Sequence, residues 1–231
     1  MLDVSRKELK YSLHPAEAAR LKKRLSFVMQ GDPHNGTIGY RVRSLYFDTV
    51  FDGDFEDKVN GLEKRQKVRL RTYNTGAEII KLELKEKTDT AQRKRSLSLN
   101  REEAVQMIKG EYSFLLKRGE PLAGWMYGFL VCRCYRPKCI VEYDRFAFML
   151  DNNDTRITFD SNIRASEAGY DLFDENLVLY PVASPNDVTL EVKYNGFLMT
   201  FVKNELATAD KIWCSNSKYC RARMISKKGR R

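Results

Sequence analysis

The sequence predicts an α+β fold: an antiparallel sheet or closed barrel of about eight strands, with helices on its outside. Three observations carry this. Eight short runs read as strands, and several of them alternate apolar and polar residues with a period of two, VEYDRFAF being mixed. Turn clusters such as DPHNG, DNNDT and ASPND separate them. The runs do not alternate regularly with helical patterns, which argues against βαβ units and a parallel sheet.

The first strand is expected at Arg6–Leu13, where Glu8, Lys10 and Ser12 share one face and Leu9, Tyr11 and Leu13 the other. A helix follows from Pro15 to about Met29. Proline suits a first helical position, and Ala18, Leu21, Leu25 and Val28 form one apolar stripe. Tyr40–Phe47, Lys67–Tyr73, Ile79–Glu86 and Lys94–Leu99 read as the next four strands. Asn100 with Glu103 three residues on has the form of a helix cap, and Val105, Ile108, Tyr112 and Leu115 carry that helix to about Arg118. Gly119, Pro121 and Gly124 punctuate before a shorter helix through Tyr127 to Leu130. Cys139–Phe148, Arg156–Asp160 and Val188–Tyr194 complete the strands. No low-complexity linker interrupts the chain, so a single domain is expected over residues 1–225. SKKGRR, residues 226–231, is expected to be a disordered basic tail.

With 42% hydrophobic and 31% charged residues in 231, the chain is too apolar for disorder and too charged for a membrane-embedded protein. Its most apolar stretch, LAGWMYGFLVC, is about half the roughly 20 residues that a membrane span needs. The N-terminus shows no apolar run of signal-peptide length. Cysteines number five, an odd count, and Cys132, Cys134 and Cys139 fit no zinc spacing. Free thiols in a reducing cytoplasm are expected. A formal charge of +10 calls for an anionic partner: nucleic acid, phosphorylated small molecules, polyphosphate or an anionic membrane surface.

The charge is patterned. Lys67, Arg69 and Arg71 alternate with Val68, Leu70 and Thr72. Lys81, Glu83, Lys85 and Lys87 alternate with Leu82, Leu84 and Glu86, and Thr189, Glu191 and Lys193 with Leu190, Val192 and Tyr194. One such strand is most simply a wet sheet face. Repetition over several strands, with glutamates at matched places, points elsewhere. If the amphipathic helices cover the apolar faces, the charged faces line a sheltered space. Like charges there repel and lose hydration unless a polyanion is held. Guanidinium forks and lysines suit phosphate chains, and a few carboxylates suit Mg²⁺ or Mn²⁺ bridging phosphate oxygens.

SLYFDT (44–49), KVRLRTYN (67–74), LELK (82–85), VEYDRFAF (141–148), RITFD (156–160), LEVKY (190–194) and SKY (217–219) occur in this order. Together they resemble the VTC-type polyphosphate polymerase domains of the triphosphate tunnel metalloenzyme superfamily, over about Arg6 to Arg223. The resemblance implies a CYTH-like α+β fold, an eight-stranded antiparallel β-barrel open as a tunnel and flanked by α-helices. The hydrolase branch of that superfamily begins with ExExK. Here Arg6 stands at the first glutamate of RKELK, which resembles the polymerase branch and leaves Glu8 alone of the N-terminal acidic pair. The free-standing bacterial form is the nearest in length.

By this resemblance, Lys67, Arg69 and Arg71 clamp phosphates, with Lys85, Lys193, Arg145, Arg156, Lys218 and Lys10. Glu191 is the first metal ligand, and Glu8 and Glu83 are weaker candidates for Mn²⁺ or Mg²⁺. Glu83 serves equally well as an ion-pair partner of Lys81 or Lys85. Asp160 and Arg164 are expected in structural pairs near a strand end. Tyr46 and Asp48 have a polar role that the sequence does not define. The implied activity is transfer of the ATP γ-phosphoryl group to a growing polyphosphate chain. The alternatives are a tunnel-fold inorganic or nucleoside triphosphatase, and a basic nucleic-acid-binding or polyphosphate-binding module without catalysis. No nucleic-acid partner is expected under the first reading, the location is cytoplasmic, and a membrane-protein partner for product export is compatible with it. No GxxxxGK[ST] loop is present.

Overall fold

The computed structural model describes residues 6–88 and 91–228. All eight expected strands are present: β1 (Arg6–Leu13), β3 (Tyr40–Asp48), β4 (Lys64–Thr72), β5 (Ile80–Thr88), β6 (Ala91–Leu99), β7 (Arg136–Leu150), β8 (Thr155–Ser166) and β10 (Val188–Asn195). Three two-residue strands join them: β2 (Gln30–Gly31), β9 (Tyr180–Pro181) and β11 (Ile212–Trp213). Every pairing whose register is resolved is antiparallel. Neighbours follow the order β11-β1-β10-β8-β7-β3-β4-β5-β6, with β2 on β7 and β9 on β8. The antiparallel α+β fold expected from the period-two runs is therefore the fold of this chain. Among the described residues no backbone pairing joins β11 to β6, so the expected barrel is not closed by hydrogen bonds. With two residues, β11 is too short to carry the ladder further.

The helices are α1 (Pro15–Leu25), α2 (Gly53–Val59), α3 (Arg101–Lys109), α4 (Phe114–Lys117), α5 (Pro121–Cys132), α6 (Thr200–Ala207) and α7 (Lys218–Lys228). Helix α1 starts at its proline, as expected. The Asn100 cap is a full capping box: its side chain accepts from the Glu103 amide at 2.8 Å, and the Glu103 carboxylate accepts from the Asn100 amide at 3.0 Å. The single helix expected from there to Arg118 is two helices. Gly110, in the left-handed region at φ 80°, ends α3. Helix α7 occupies the first three residues of the expected tail. Lys227 holds it there, paired with Asp52 at 3.1 Å and Glu56 at 3.2 Å. Residues 229–231 lie outside the described residues.

The described residues gather into two compact units. One draws on the chain up to Arg41, on Tyr143–Ile163 and on Pro181–Ser217; the other on Val42–Glu142, Arg164–Tyr180 and the chain from Lys218. Each has its own core. In the first unit, Ala18, Leu21 and Leu25 of α1 and Val202 and Leu206 of α6 pack with Ile157, Leu190 and Val192 of the sheet. In the second, Ala104 and Met107 of α3 and Ala123, Met126 and Leu130 of α5 pack with Val68, Leu70, Leu82 and Leu84. In both units helices thus cover the apolar side of the strands. Alternation then puts the charged side chains on the other side. The five cysteines are free thiols. No helix among the described residues is long and apolar enough to cross a membrane.

Candidate functional site

In the second unit, the β4 cations form one cluster around Glu83. Register brings Tyr46 of β3 and Glu83 of β5 to either side of Arg69. Glu83 has no exposed surface. Arg69 donates through Nε to its Oε2 at 2.8 Å, Arg71 through Nη2 to its Oε1 at 2.6 Å, and Lys94 Nζ lies 2.5 Å from Oε1. Burial alone would raise the Glu83 carboxyl, but Arg69, Arg71 and Lys94 outweigh it and hold it down at about 2. The Arg69 and Arg71 side chains are only 13% and 14% exposed. They are sheltered, whereas a wet sheet face would leave them in the solvent. The Arg71 Nε is buried with no hydrogen-bond partner. Lys85, opposite Lys67 and Lys94 in register, is exposed.

The SLYFDT and SKY motifs meet beside this cluster. The Tyr46 and Tyr219 rings stack with centroids 5.2 Å apart, and the Lys67 ammonium lies 5.8 and 5.9 Å from them. Arg69 also donates to the Tyr46 hydroxyl at 3.3 Å. The Tyr219 hydroxyl donates to Asp48 at 2.5 Å, and burial beside that carboxylate raises its pKa, keeping it a donor. Asp48 in turn accepts from the backbone amides of Thr49, Asp54 and Phe55, at 2.7, 2.9 and 3.0 Å, around the start of α2. Asp48 thus caps one helix and anchors another. Lys218, the first residue of α7, is half-buried.

In the first unit, Glu8, Lys10, Glu191 and Lys193 interlock across β1 and β10. Register pairs Lys10 with Glu191 and Glu8 with Lys193. Lys10 Nζ is 3.1 Å from Glu8 and 3.3 Å from Glu191, and Lys193 Nζ is 2.6 Å from Glu191 and 4.0 Å from Glu8. Arg145 reaches Glu191 at 3.9 Å, but its main partner is the buried Asp160, held through Nε at 2.7 Å and Nη2 at 2.8 Å. Burial would lower this guanidinium's pKa. Asp160 outweighs that and holds it well above its usual value. The hydroxyls of Thr158 and Thr189, cross-strand from Glu191 and Asp160 respectively, are buried without a hydrogen-bond partner. Arg156, beside Lys193 in register, donates to Asp32 at 2.6 Å and to the Tyr40 hydroxyl at 3.0 Å.

These placements sort the expected residues. Lys67, Arg69, Arg71, Lys85 and Glu83 share one face, and Glu8, Lys10, Glu191, Lys193 and Arg145 another. Glu83 takes neither expected lysine as its partner, but Arg69, Arg71 and Lys94. Asp160 is paired with Arg145, and Arg164 donates to Glu142 at 2.7 Å, both in structural pairs. Sequence reasoning passed over Lys94 and Tyr219. The alternation of Lys94, Ser96 and Ser98 with Arg95, Leu97 and Leu99 carried the signal for the first.

As a divalent-metal site, Glu8 and Glu191 fit in part. Both reach the same Lys10 ammonium, so their oxygens converge on one positive charge. Among the described residues no third His, Cys, Asp or Glu completes a cluster. Two carboxylates with phosphate oxygens and water are a usual set for Mg²⁺ or Mn²⁺. Glu83 fits less well: both its oxygens, like those of Glu191, are taken by cations, but it has no exposed surface, whereas Glu191 shares Lys10 and Lys193 with a second carboxylate, Glu8.

The fold is similar to solved structures of low identity. A candidate adenylate cyclase from Bacillus halodurans matches with TM-score 0.50 and 11% identity, over 92% of this chain and 96% of that one. A candidate adenylyl cyclase from Hippeastrum, described as having a dominant triphosphatase activity, matches with TM-score 0.53 and 12% identity, over 94% of this chain and 95% of that one. No curated protein matches the chain. The profile of the VTC domain matches residues 5–227. The chain therefore belongs to the VTC domain family, the family that its ordered motifs resemble.

Proposed function

We propose that the protein is a polyphosphate polymerase, a metal-dependent phosphotransferase that moves the ATP γ-phosphoryl group onto a growing polyphosphate chain. The observation that carries this is the cluster of the sheltered Arg69 and Arg71 with the half-exposed Lys94, held by one buried carboxylate and left with more positive than negative charge. Such a cluster binds a polyanion with little reorganisation, since its forks are already fixed. Family membership supports phosphate chains as that polyanion.

In this reading Arg69 and Arg71 offer guanidinium edges to phosphate oxygens. Lys67 and Lys94 add point charges, and Lys218 a further one from α7. Lys10 and Lys193 neutralise phosphate charge in the first unit, with Arg156 beside them. Arg145 keeps Asp160 and Glu191 in register. Glu191 and Glu8 would hold Mn²⁺ or Mg²⁺, which when bound supplies charge neutralisation for the phosphate oxygens. An attacking phosphate terminus needs no protein nucleophile, so the residues act by positioning and electrostatics.

A second reading, nucleoside or inorganic triphosphatase, is favoured by the triphosphatase activity described for the Hippeastrum protein. Incubation with ATP and Mn²⁺, followed by gel analysis, separates the two. Long phosphate chains formed alongside ADP are expected; phosphate release without chains would replace the first reading with the second. Glu191→Ala is expected to abolish metal-dependent turnover, and unchanged turnover would remove Glu191 as a ligand.

A further inference from the structure

The β4 alternation does not stop at Arg71. Tyr73 continues it one step past the end of the strand, on the side of Lys67, Arg69 and Arg71. Its ring lies 5.2 Å from the Arg71 guanidinium. The three tyrosines beside these cations differ in one respect. Tyr46 and Tyr219 are 4% and 1% exposed and stack on each other, whereas Tyr73 is 47% exposed.

We propose that Tyr73 is a stacking platform for the base of a nucleoside triphosphate, and so the residue that separates nucleotide from inorganic phosphate chains. The inference rests on the phosphate-binding reading above. Three observations carry it. Arg71 touches both Glu83 and Tyr73, so the ring is contiguous with the phosphate cluster. The Arg71 Nε is a buried donor with no partner, and a phosphate oxygen there would satisfy it. The third is spacing. Alternate strand residues stand about 7 Å apart, close to the length of a triphosphate. Terminal phosphates at Arg69 therefore put the inner ones near Arg71 and the nucleoside over Tyr73. Stacking on an aromatic face tolerates any base, because every base has a π-face. The expected substrate class is nucleoside triphosphates with weak discrimination among bases.

The test compares two ligands on three proteins. Calorimetry measures the binding of a non-hydrolysable ATP analogue and of inorganic tripolyphosphate to the wild type, Tyr73→Ala and Tyr73→Trp. The expected result is about tenfold weaker binding of the ATP analogue to Tyr73→Ala, unchanged tripolyphosphate binding, and recovery in Tyr73→Trp. Equal losses for both ligands, or no loss for either, would overturn the platform. A wild type that binds tripolyphosphate but not the nucleotide analogue overturns the platform alone. One that binds neither overturns the phosphate-binding reading with it.

Discussion

Glu83 sets three cations against one fully buried carboxylate, with Arg69 and Arg71 sheltered beside it and Lys94 half-exposed. Removing one partner of such a buried set leaves the others uncompensated. Glu83→Gln is therefore expected to destabilise the fold by about 3 kcal/mol, read as a lower unfolding midpoint in denaturant. Tripolyphosphate should restore more of that loss than it adds to the wild type, because phosphate oxygens can take the place of the missing charge. Equal gains in both proteins would count against phosphate binding at these arginines. The alternation of Lys67, Arg69 and Arg71 was legible in the sequence. Their partner was not. Glu83 has Lys81 and Lys85 as neighbours on its own face, and only the β4–β5 and β5–β6 registers bring Arg69, Arg71 and Lys94 to it. Arg145 shows the same gap: its motif suggested phosphate, and the structure gives both its Nε and its Nη2 to Asp160.

At the scale of elements, helix α2 depends on Asp48 just before it, and helix α7 on carboxylates distant in sequence. Tyr219→Phe keeps the stack on Tyr46 and removes the bond to Asp48. A cost of about 2 kcal/mol is expected for losing a hydrogen bond to a charged group, measured by chemical denaturation, and no change would show that α7 is held without it. Asp54, at the start of α2, accepts from the Tyr135 hydroxyl at 2.9 and 3.0 Å. Burial, then the charge of Asp48, push its carboxyl up from 3.8 to about 7. The folded chain therefore keeps a proton that the unfolded chain releases. The stability this proton brings is complete below about pH 4 and lost as pH rises through about 7. Asp54→Asn should flatten this slope, with a smaller difference in melting temperature between pH 5 and pH 8, and an unchanged slope would exclude Asp54 as its source. Neither helix was legible in the sequence. The cap of α2 is Asp48, four residues before the adjacent Asp52, which makes no cap bond. Helix α7 is too polar for an apolar stripe and is held by Asp48, Asp52 and Glu167.

For the whole molecule, a surplus of +10 would ordinarily suggest nucleic acid. The sheltering of Arg69 and Arg71 favours a thin, flexible polyanion over a duplex. Short polyphosphate should displace labelled tripolyphosphate at far lower concentration than duplex DNA of equal charge, in a titration at about 0.15 M salt. Equal potency would revive the nucleic-acid reading. All eight long strands were legible, because each is a strand-like run set off by turn signals, and in β1, β4, β5 and β10 charged and apolar residues alternate with a period of two. The two-residue strands bury nothing of their own and write no period.

Strand β7 gives residues up to Glu142 to one compact unit and residues from Tyr143 to the other. Strand β8 is divided in the same way between Ile163 and Arg164. Each unit is therefore assembled from three separate lengths of chain. Neither can be made from one uninterrupted piece of gene, and no single recombination crossover could exchange one for a homologous copy.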